Sequence, residues 1–184
     1  MYRLTAAFFA VVFTGALGCV AAAQQVETTP IPVQPKPDFS SWTWEIGAWN
    51  CSSKSARRAT PQKSTVSYAL DPSGYWIVGT TKVQSVSWFP HDSVIVDKMT
   101  YDASGKHWVD VTTDDLGGYD ISSATGWDGD KVVWHDVTYP KQADVVTSND
   151  TTMTKVSDTK TTFVSSFVTK KGATIGVSGE CTKG

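Results

Sequence analysis

Apolar and polar residues alternate in short runs from the segment "WTWEIGAWNCS" onward, and this pattern predicts β-strands. "STVSYAL" places Val66, Tyr68 and Leu70 on one face, and "SVIVDKMTY" places Ile95 and Met99 on one face. Val, Ile, Thr, Tyr and Trp dominate these runs, as is typical of strands. Apolar residues do not recur at helical spacing for more than about one turn, so no helix is predicted.

Turn sequences separate the runs at short intervals. "DPSG", "DASGK", "DDLGG", "WDGD" and "TKKG" are rich in Gly, Asp and Ser, and turns recur about every 8–12 residues. The chain thus divides into about ten short antiparallel strands, the first in "WTWEIGAWNCS" and the last in "GATIGVSGEC". Because closure removes exposed strand edges, we predict an all-β fold, a closed antiparallel up-and-down β-barrel.

The N-terminal part of this chain of 184 residues has a different composition. "MYRLTAAFFAVVFTGALGCVAAAQQ" has an early Arg, an apolar run too short for a membrane span, and a small-residue cleavage pattern. We interpret residues 1–23 as the signal peptide of an exported protein, periplasmic or extracellular, with lipid attachment at Cys19 as the alternative. Residues 24–40 are Pro-rich and predicted to be flexible, which leaves 41–184 for the barrel domain.

Two cysteines remain in the predicted barrel domain, one near each end. An up-and-down barrel with an even number of strands brings its first and last strands side by side, and Cys51 and Cys181 fall on these strands. Each cysteine shares a face of its strand with apolar residues, Trp49 on the first strand and Val177 on the last. We therefore predict a Cys51–Cys181 disulfide across the closure, with two free thiols as the alternative.

Several motifs along the chain together resemble a known group of barrels. The Gly-x-Trp of the first strand, here Gly47 and Trp49, is similar to the motif of the calycin superfamily, which includes the lipocalins. "IGAWNC", "GYWIV", "YDASGKHW", "GGYDISSATGWDGD" and "GECTK" resemble, in order and spacing, a family of lipocalin-like, mostly bacterial, exported domains without a settled activity. The resemblance covers residues 42–184 and implies a lipocalin-like barrel in which Gly47 and Trp49 form the plug of one barrel end. Lipocalins usually set a basic residue of the last strand against this tryptophan, and here only Lys183 is available.

The charge and the polar residues argue against several function classes. The formal net charge is −2, and Arg57 and Arg58 form the only arginine cluster, so nucleic acid is not an expected partner. The chain has no Gly-x-Ser-x-Gly elbow, and its two distant cysteines have no adjacent histidine, so we assign no catalytic residue, metal site or cofactor. Most Asp residues fall in turns, and an enzyme site inside the barrel would have to use Asp97, Asp110 or His107.

Aromatic residues supply the candidate ligand site. We expect the tryptophans near the first strand to pack in the core, and we take Tyr68, Trp76, Trp108 and Trp134 as candidate ligand-binding residues. Smaller residues expected to face inward beside them are Val66, Val109, Val111, Ser123, Ser165, Ile175 and Val177.

These observations lead to one preferred function and two alternatives. The preferred interpretation is a protein that binds a small apolar or aromatic molecule inside the barrel. One alternative is an enzyme of isomerase or hydrolase type that uses the same cavity. The other is a structural or interaction module with a filled core. The volume of the cavity distinguishes the last alternative from the other two, and a titratable group with a shifted pKa inside the cavity would favour the enzyme.

Overall fold

Ten antiparallel strands form a closed barrel in the computed structural model, which describes residues 33–139 and 149–184. Each strand pairs with its neighbours in sequence, and the first strand also pairs with the last. The predicted closed up-and-down barrel is therefore confirmed for the unit Gln34–Gly184. The predicted signal peptide, Cys19 and most of the predicted segment 24–40 lie outside the described residues. Within the described ranges, no helix is long and apolar enough to cross a membrane.

The strands are short, as the spacing of the turns predicts. Their bounds are β1 Gly47–Ser55, β2 Gln62–Leu70, β3 Ile77–Val83, β4 Ser93–Asp102, β5 His107–Asp114, β6 Tyr119–Ala124, β7 Lys131–Tyr139, β8 Asn149–Ser157, β9 Lys160–Val168 and β10 Thr174–Lys183.

A 3₁₀ turn precedes β1 where the sequence predicts a strand. The turn covers Thr43–Glu45, and Trp42 at its N-cap is fully buried. Gly47 has a φ angle of 128°, which side-chain-bearing residues rarely adopt, and this lets the chain bend between the turn and β1. The expectation of a strand over 42–45 is wrong because packing at the barrel end overrides the strand-like composition.

Aromatic side chains close the barrel end at which β1 begins. The Trp42 ring lies 5.3 Å from the Trp108 ring and 5.1 Å from the Trp127 ring, measured between centroids. Phe39, within the segment predicted to be flexible, is also buried here, 5.6 Å from Trp108. We call this group the aromatic plug; its members are Phe39, Trp42, Trp44, Trp49, Trp108 and Trp127.

The seam between β1 and β10 carries the predicted disulfide. Cys51 lies directly opposite Cys181 in the register, and the two side chains are bonded. Lys183 of β10 reaches back over β1, where its Nζ lies 5.2 Å from the centroid of the Trp49 ring. The last strand thus places the basic side chain of Lys183 on this tryptophan.

The wall formed by β5, β6 and β7 has apolar residues outside and acidic residues inside. Val111, Ile121 and Val137 are neighbours in the register, and they are 37%, 45% and 39% exposed on the outer surface. The alternate positions on these strands, which include Asp110 and Asp136, face the interior. We call β5–β7 the inverted wall, because a barrel usually buries the apolar set.

Three residues of the inverted wall were expected to face inward, and this expectation is wrong. Val109, Val111 and Ser123 lie on the outer face, because the residues next to them in sequence point inward. Trp108 and Ser122 are buried in the interior. The alternation of the strands is as predicted, but the apolar set of β5 lies on the face opposite to the expected one.

Candidate functional site

An interior cavity of about 260 Å³ is lined by residues of β1, β2, β7, β8, β9 and β10. It begins at Trp44 in the aromatic plug and extends to Ser53, near the other end of β1. Its lining is mainly apolar and aromatic, and it includes Trp44, Trp49, Val66, Trp134, Met153, Phe163 and the Cys51–Cys181 disulfide. We call this cavity the apolar chamber.

A second, smaller cavity lies beside the first and is lined by carboxyl groups. It has a volume of about 90 Å³, and Glu45, Asp97 and Asp110 contribute to its wall. We call it the acidic chamber. Glu45, Tyr68, Trp134 and Met153 line both chambers, so the two chambers adjoin.

The 3₁₀ turn places Glu45 inside the barrel. The Glu45 backbone oxygen accepts a hydrogen bond of 2.6 Å from Trp49 Nε1, and its backbone N–H donates to the Trp42 oxygen at 2.9 Å. Lys183 Nζ donates to the backbone oxygen of Trp44 at 2.6 Å. These bonds tie the turn to β1 and β10, and they hold the Glu45 side chain where it is only 8% exposed.

Aspartates continue from the acidic chamber across the inverted wall. Asp97 lies on β4, Asp110 on β5, Asp120 on β6 and Asp136 on β7, one on each of four consecutive strands. Hydroxyl groups accompany them: Thr151 Oγ1 donates to Asp136 Oδ2 at 2.7 Å. The interior therefore has an apolar side and an acidic side.

Burial and mutual repulsion raise the pKa values of these carboxyl groups. Burial, with repulsion from Asp97 and Asp110, raises the pKa of Glu45 from 4.5 to about 8. Burial, with repulsion from Asp97 and Asp120, raises the pKa of Asp110 from 3.8 to about 7. Burial also raises the pKa of Asp97 and that of Asp120 to about 6. Near neutral pH this cluster is therefore only partly ionised.

The acidic chamber contains buried polar atoms without partners. Glu45 Oε1 and Asp110 Oδ1 are buried and accept no hydrogen bond from any described residue. The four close contacts between acidic and basic side chains among the described residues, two of them to histidines, use other carboxylates, those of Asp102, Asp150, Asp158 and Glu180. In the described part of the chain, no group of three or more His, Cys, Asp or Glu side chains is arranged to hold a metal ion.

Gly79 makes room for the side chains at the boundary of the two chambers. It lies between Tyr68 of β2 and Asp97 of β4 in the register. A Cβ atom at this position would overlap the Asp97 carboxyl oxygens and the Tyr68 ring. The absent side chain therefore lets Tyr68 and Asp97 lie side by side. Burial and the nearby carboxylates raise the pKa of Tyr68 well above 10, so its hydroxyl stays neutral.

The structure brings together two of the four aromatic residues that the sequence singles out as ligand-binding candidates. Tyr68 and Trp134 line both chambers. Trp108 is buried in the aromatic plug and contributes to neither chamber. Trp76 directly precedes β3, out of phase with the buried Ile77, and it also lines neither chamber.

Of the polar candidates, Asp97 and Asp110 meet in the acidic chamber, but His107 does not join them. His107 lies on the outer face beside Asp102, with 4.0 Å between Nε2 and Oδ2. Glu45 and Asp136 were not among the residues that the sequence singled out. Asp136 follows Trp134 by two residues, so strand periodicity alone places both on one face.

Comparison with solved structures supports the barrel fold. The crystal structure of Rv2717c from M. tuberculosis matches with a TM-score of 0.59 and 11% identity, over 83% of this chain and 99% of that chain. The structure of EF1p2_mFAP2b bound to DFHBI matches with a TM-score of 0.43 and 11% identity, over 77% of this chain and 94% of that chain. No protein-family model and no curated protein matches the sequence. At 11% identity, the likeness to Rv2717c supports the closed-barrel fold alone.

Proposed function

We propose that this protein binds a small, mainly apolar or aromatic molecule inside its barrel. The observation that carries the proposal is the apolar chamber, a cavity of about 260 Å³ inside the barrel with a mainly apolar and aromatic lining. A structural module would gain stability by filling this space, because each missing contact in a core costs stability.

The size and lining of the apolar chamber indicate the kind of molecule. A cavity of roughly 150 Å³ is enough to bind benzene. The volume of about 260 Å³ therefore suits a molecule with about two fused rings. Trp49, Trp134 and Phe163 supply aromatic surface, and Tyr68, a residue with a polar hydroxyl, lies where the apolar chamber adjoins the acidic chamber.

A neutral bicyclic compound tests this proposal. Naphthylmethanol should bind the disulfide-bonded protein with micromolar affinity in isothermal titration calorimetry. It should also change the emission of the tryptophans that line the chamber. Ser64 lines the chamber from β2, so Ser64→Phe should fill the space and abolish binding. Thr65→Phe is the matched control, because Thr65 is the exposed neighbour on the same strand. Absence of binding to the wild-type protein, or equal binding by both variants, would refute the proposal.

Proton-transfer catalysis inside the barrel, where the acidic chamber adjoins the apolar chamber, is the second candidate. It is favoured by the raised pKa values of Asp110, about 7, and Glu45, about 8, because a general acid or base works best near the ambient pH. Nitrobenzisoxazole, an aromatic compound of suitable size, reports such a base. A carboxylate removes its C–H proton, the N–O bond breaks, and a coloured cyanonitrophenolate forms. A rate that rises with pH and is lost in Asp110→Asn would favour catalysis, and a rate equal to that of buffer would favour simple binding.

We also propose that the protein is exported and belongs with the lipocalin-like exported domains that its motifs resemble. The Cys51–Cys181 disulfide supports export, because such bonds persist in oxidising compartments. N-terminal sequencing of protein from its native host should find Gln24 as the first residue. A lipid-modified Cys19 would instead support membrane anchoring, and an unprocessed Met1 would refute export through a cleaved signal.

A further inference from the structure

We infer that the molecule held by this barrel carries a positively charged amine at one end. The amine sits in the acidic chamber beside Glu45 and Asp110, and the apolar body of the molecule occupies the apolar chamber. This inference rests on the proposed binding function and specifies the chemical class of the ligand.

The first observation behind it is the Glu45 carboxyl group. Glu45 is 8% exposed and lines both chambers, and its Oε1 has no hydrogen-bond partner among the described residues. Buried polar atoms are normally paired, because leaving one unpaired is costly. The backbone of the turn holds this side chain in place through the Trp49 hydrogen bond, so its position does not depend on a partner of its own. A donor group on a ligand would supply the missing partner.

The second observation comes from a different element of the fold. Asp110 lies on β5, and its Oδ1 is also buried without a partner, while its Oδ2 accepts only a long bond of 3.5 Å from Thr112 Oγ1. Glu45 and Asp110 both line the acidic chamber. Two elements that are distant in sequence thus each contribute a carboxyl group with an unsatisfied oxygen to the wall of one small space, which suits a group with several N–H donors.

The third observation is the absence of a compensating cation among the described interior residues. Around Asp110, the groups that face inward are acidic or neutral: Asp97 on β4, Asp120 on β6, Asp136 on β7, Glu45 on the turn and Tyr68 on β2. The basic residues of these elements, among them Lys98, His107, Lys131 and His135, occupy the alternate, outer-face positions.

The two lysines at the plug end have other partners. Lys155 Nζ pairs with Asp158 at 2.8 Å, and Lys183 Nζ donates to the Trp44 oxygen. A bound cation would therefore be the counter-charge for the acidic chamber, and an anionic ligand would be repelled from it.

The size of the acidic chamber and the aromatic surface in its wall further restrict the chemical class of the ligand. The acidic chamber, at about 90 Å³, holds roughly the volume of three water molecules, so an ammonium group fits there and a second ring system does not. Trp42 and Trp134 contribute ring surface to its wall. Aromatic faces attract organic cations, which adds to the attraction of the carboxylates.

A series of compounds with one body and three head groups tests the inference. Naphthylmethylamine, naphthylmethanol and naphthylacetate share the apolar part and differ in charge. At about pH 8, calorimetry on the disulfide-bonded protein should show the amine binding about tenfold or more tighter than the alcohol, with the acetate weakest. Burial raises the pKa of Asp110 to about 7 and that of Glu45 to about 8, so more carboxylate is present at higher pH. The advantage of the amine over the alcohol should therefore shrink as the pH falls to about 5.

Variants of the two carboxyl groups separate this inference from the binding proposal. Asp110→Asn and Glu45→Gln should each remove most of the advantage of the amine over the alcohol. Asp130→Asn, at an exposed turn position, is the control and should change neither affinity. If the alcohol binds and the amine binds no tighter, the inference is wrong and the proposed function stands. If neither compound binds, the proposed function itself fails. If a variant does not fold, the pH dependence of amine and alcohol binding to the wild-type protein still distinguishes these outcomes.

Discussion

Replacing Asp110 by asparagine should stabilise this protein above neutral pH. Burial and repulsion from Asp97 and Asp120 raise the pKa of Asp110 from its ordinary value of 3.8 to about 7 in the folded state. The folded protein therefore binds more protons than the unfolded chain between these two pH values. It follows that the free energy of unfolding falls as the pH rises through this range, and the loss is complete above about pH 7.

The size of the effect follows from the same values. Each pKa unit corresponds to about 1.4 kcal/mol, so the raised pKa of Asp110 represents a loss of up to about 4 kcal/mol at pH 8. At about pH 5 more than half of this loss is avoided, because the folded protein holds the proton and only the unfolded chain has released it. Asparagine has the same shape without the charge. Burying its amide group also costs stability, however, and this cost offsets part of the gain. We therefore expect a net gain of about 1–3 kcal/mol at pH 8.

Urea unfolding followed by tryptophan emission measures this prediction, with the disulfide kept intact. For the wild-type protein, the free energy of unfolding should be lower at about pH 8 than at about pH 5, and Asp110→Asn should reduce that difference. Asp130→Asn should behave as the wild-type protein does, because Asp130 is exposed. A wild-type stability that rises from pH 5 to pH 8, or an Asp110→Asn variant less stable than wild type at pH 8, would refute the reasoning.

Three further predictions concern the frame of the barrel. Cys51→Ser removes a disulfide between residues that are 130 positions apart in sequence, and it should lower the free energy of unfolding, measured in urea, by about 4–5 kcal/mol. An unchanged stability after reduction of the wild-type protein would contradict this expectation. Trp49→Ala should cost about 3–5 kcal/mol, since this side chain is buried at 3% exposure, and a loss under about 1 kcal/mol would contradict its role in the plug. Gly79→Ala should cost about 1–3 kcal/mol because the new Cβ overlaps the Asp97 carboxyl group; Gly176→Ala is the control, since its Cβ meets no atom within 4 Å, and equal losses would disprove the steric argument.

The frame of the barrel is predictable because local patterns determine it. Alternation indicates strands, Gly–Asp–Ser clusters indicate turns, and an even strand number brings the two ends together. That closure brings the strands of Cys51 and Cys181 together, and the predicted disulfide between them is confirmed. Each of these inferences needs only sequence neighbours or one topological rule.

Asp97 and Asp110 are the only carboxyl groups of the acidic side that the sequence singles out as possible interior residues. Asp120 and Asp136 are not singled out, because strand periodicity separates two faces but does not say which face is inside. Hydrophobicity normally indicates which face is inside, but on β5–β7 it indicates the outer face. Ile121 faces solvent, and Asp120 beside it faces the interior. The position of Trp134, an expected inward residue, could have assigned Asp136 correctly.

Glu45 was missed for a different reason. Its segment has the composition of a strand, and only the packing of Trp42 among other rings makes it a turn that crosses the barrel end. Such packing depends on residues as distant as Trp108 and Trp127, so no local pattern reveals it.

The disulfide that closes the seam also forms part of the wall of the apolar chamber. A molecule seated in that chamber would cover these sulfur atoms on their inner side. The rate at which a small thiol reduces the bond would then depend on occupancy, and slower reduction in the presence of a compound would serve as a label-free screen. The cross-link would thus act as a built-in reporter of what the barrel contains.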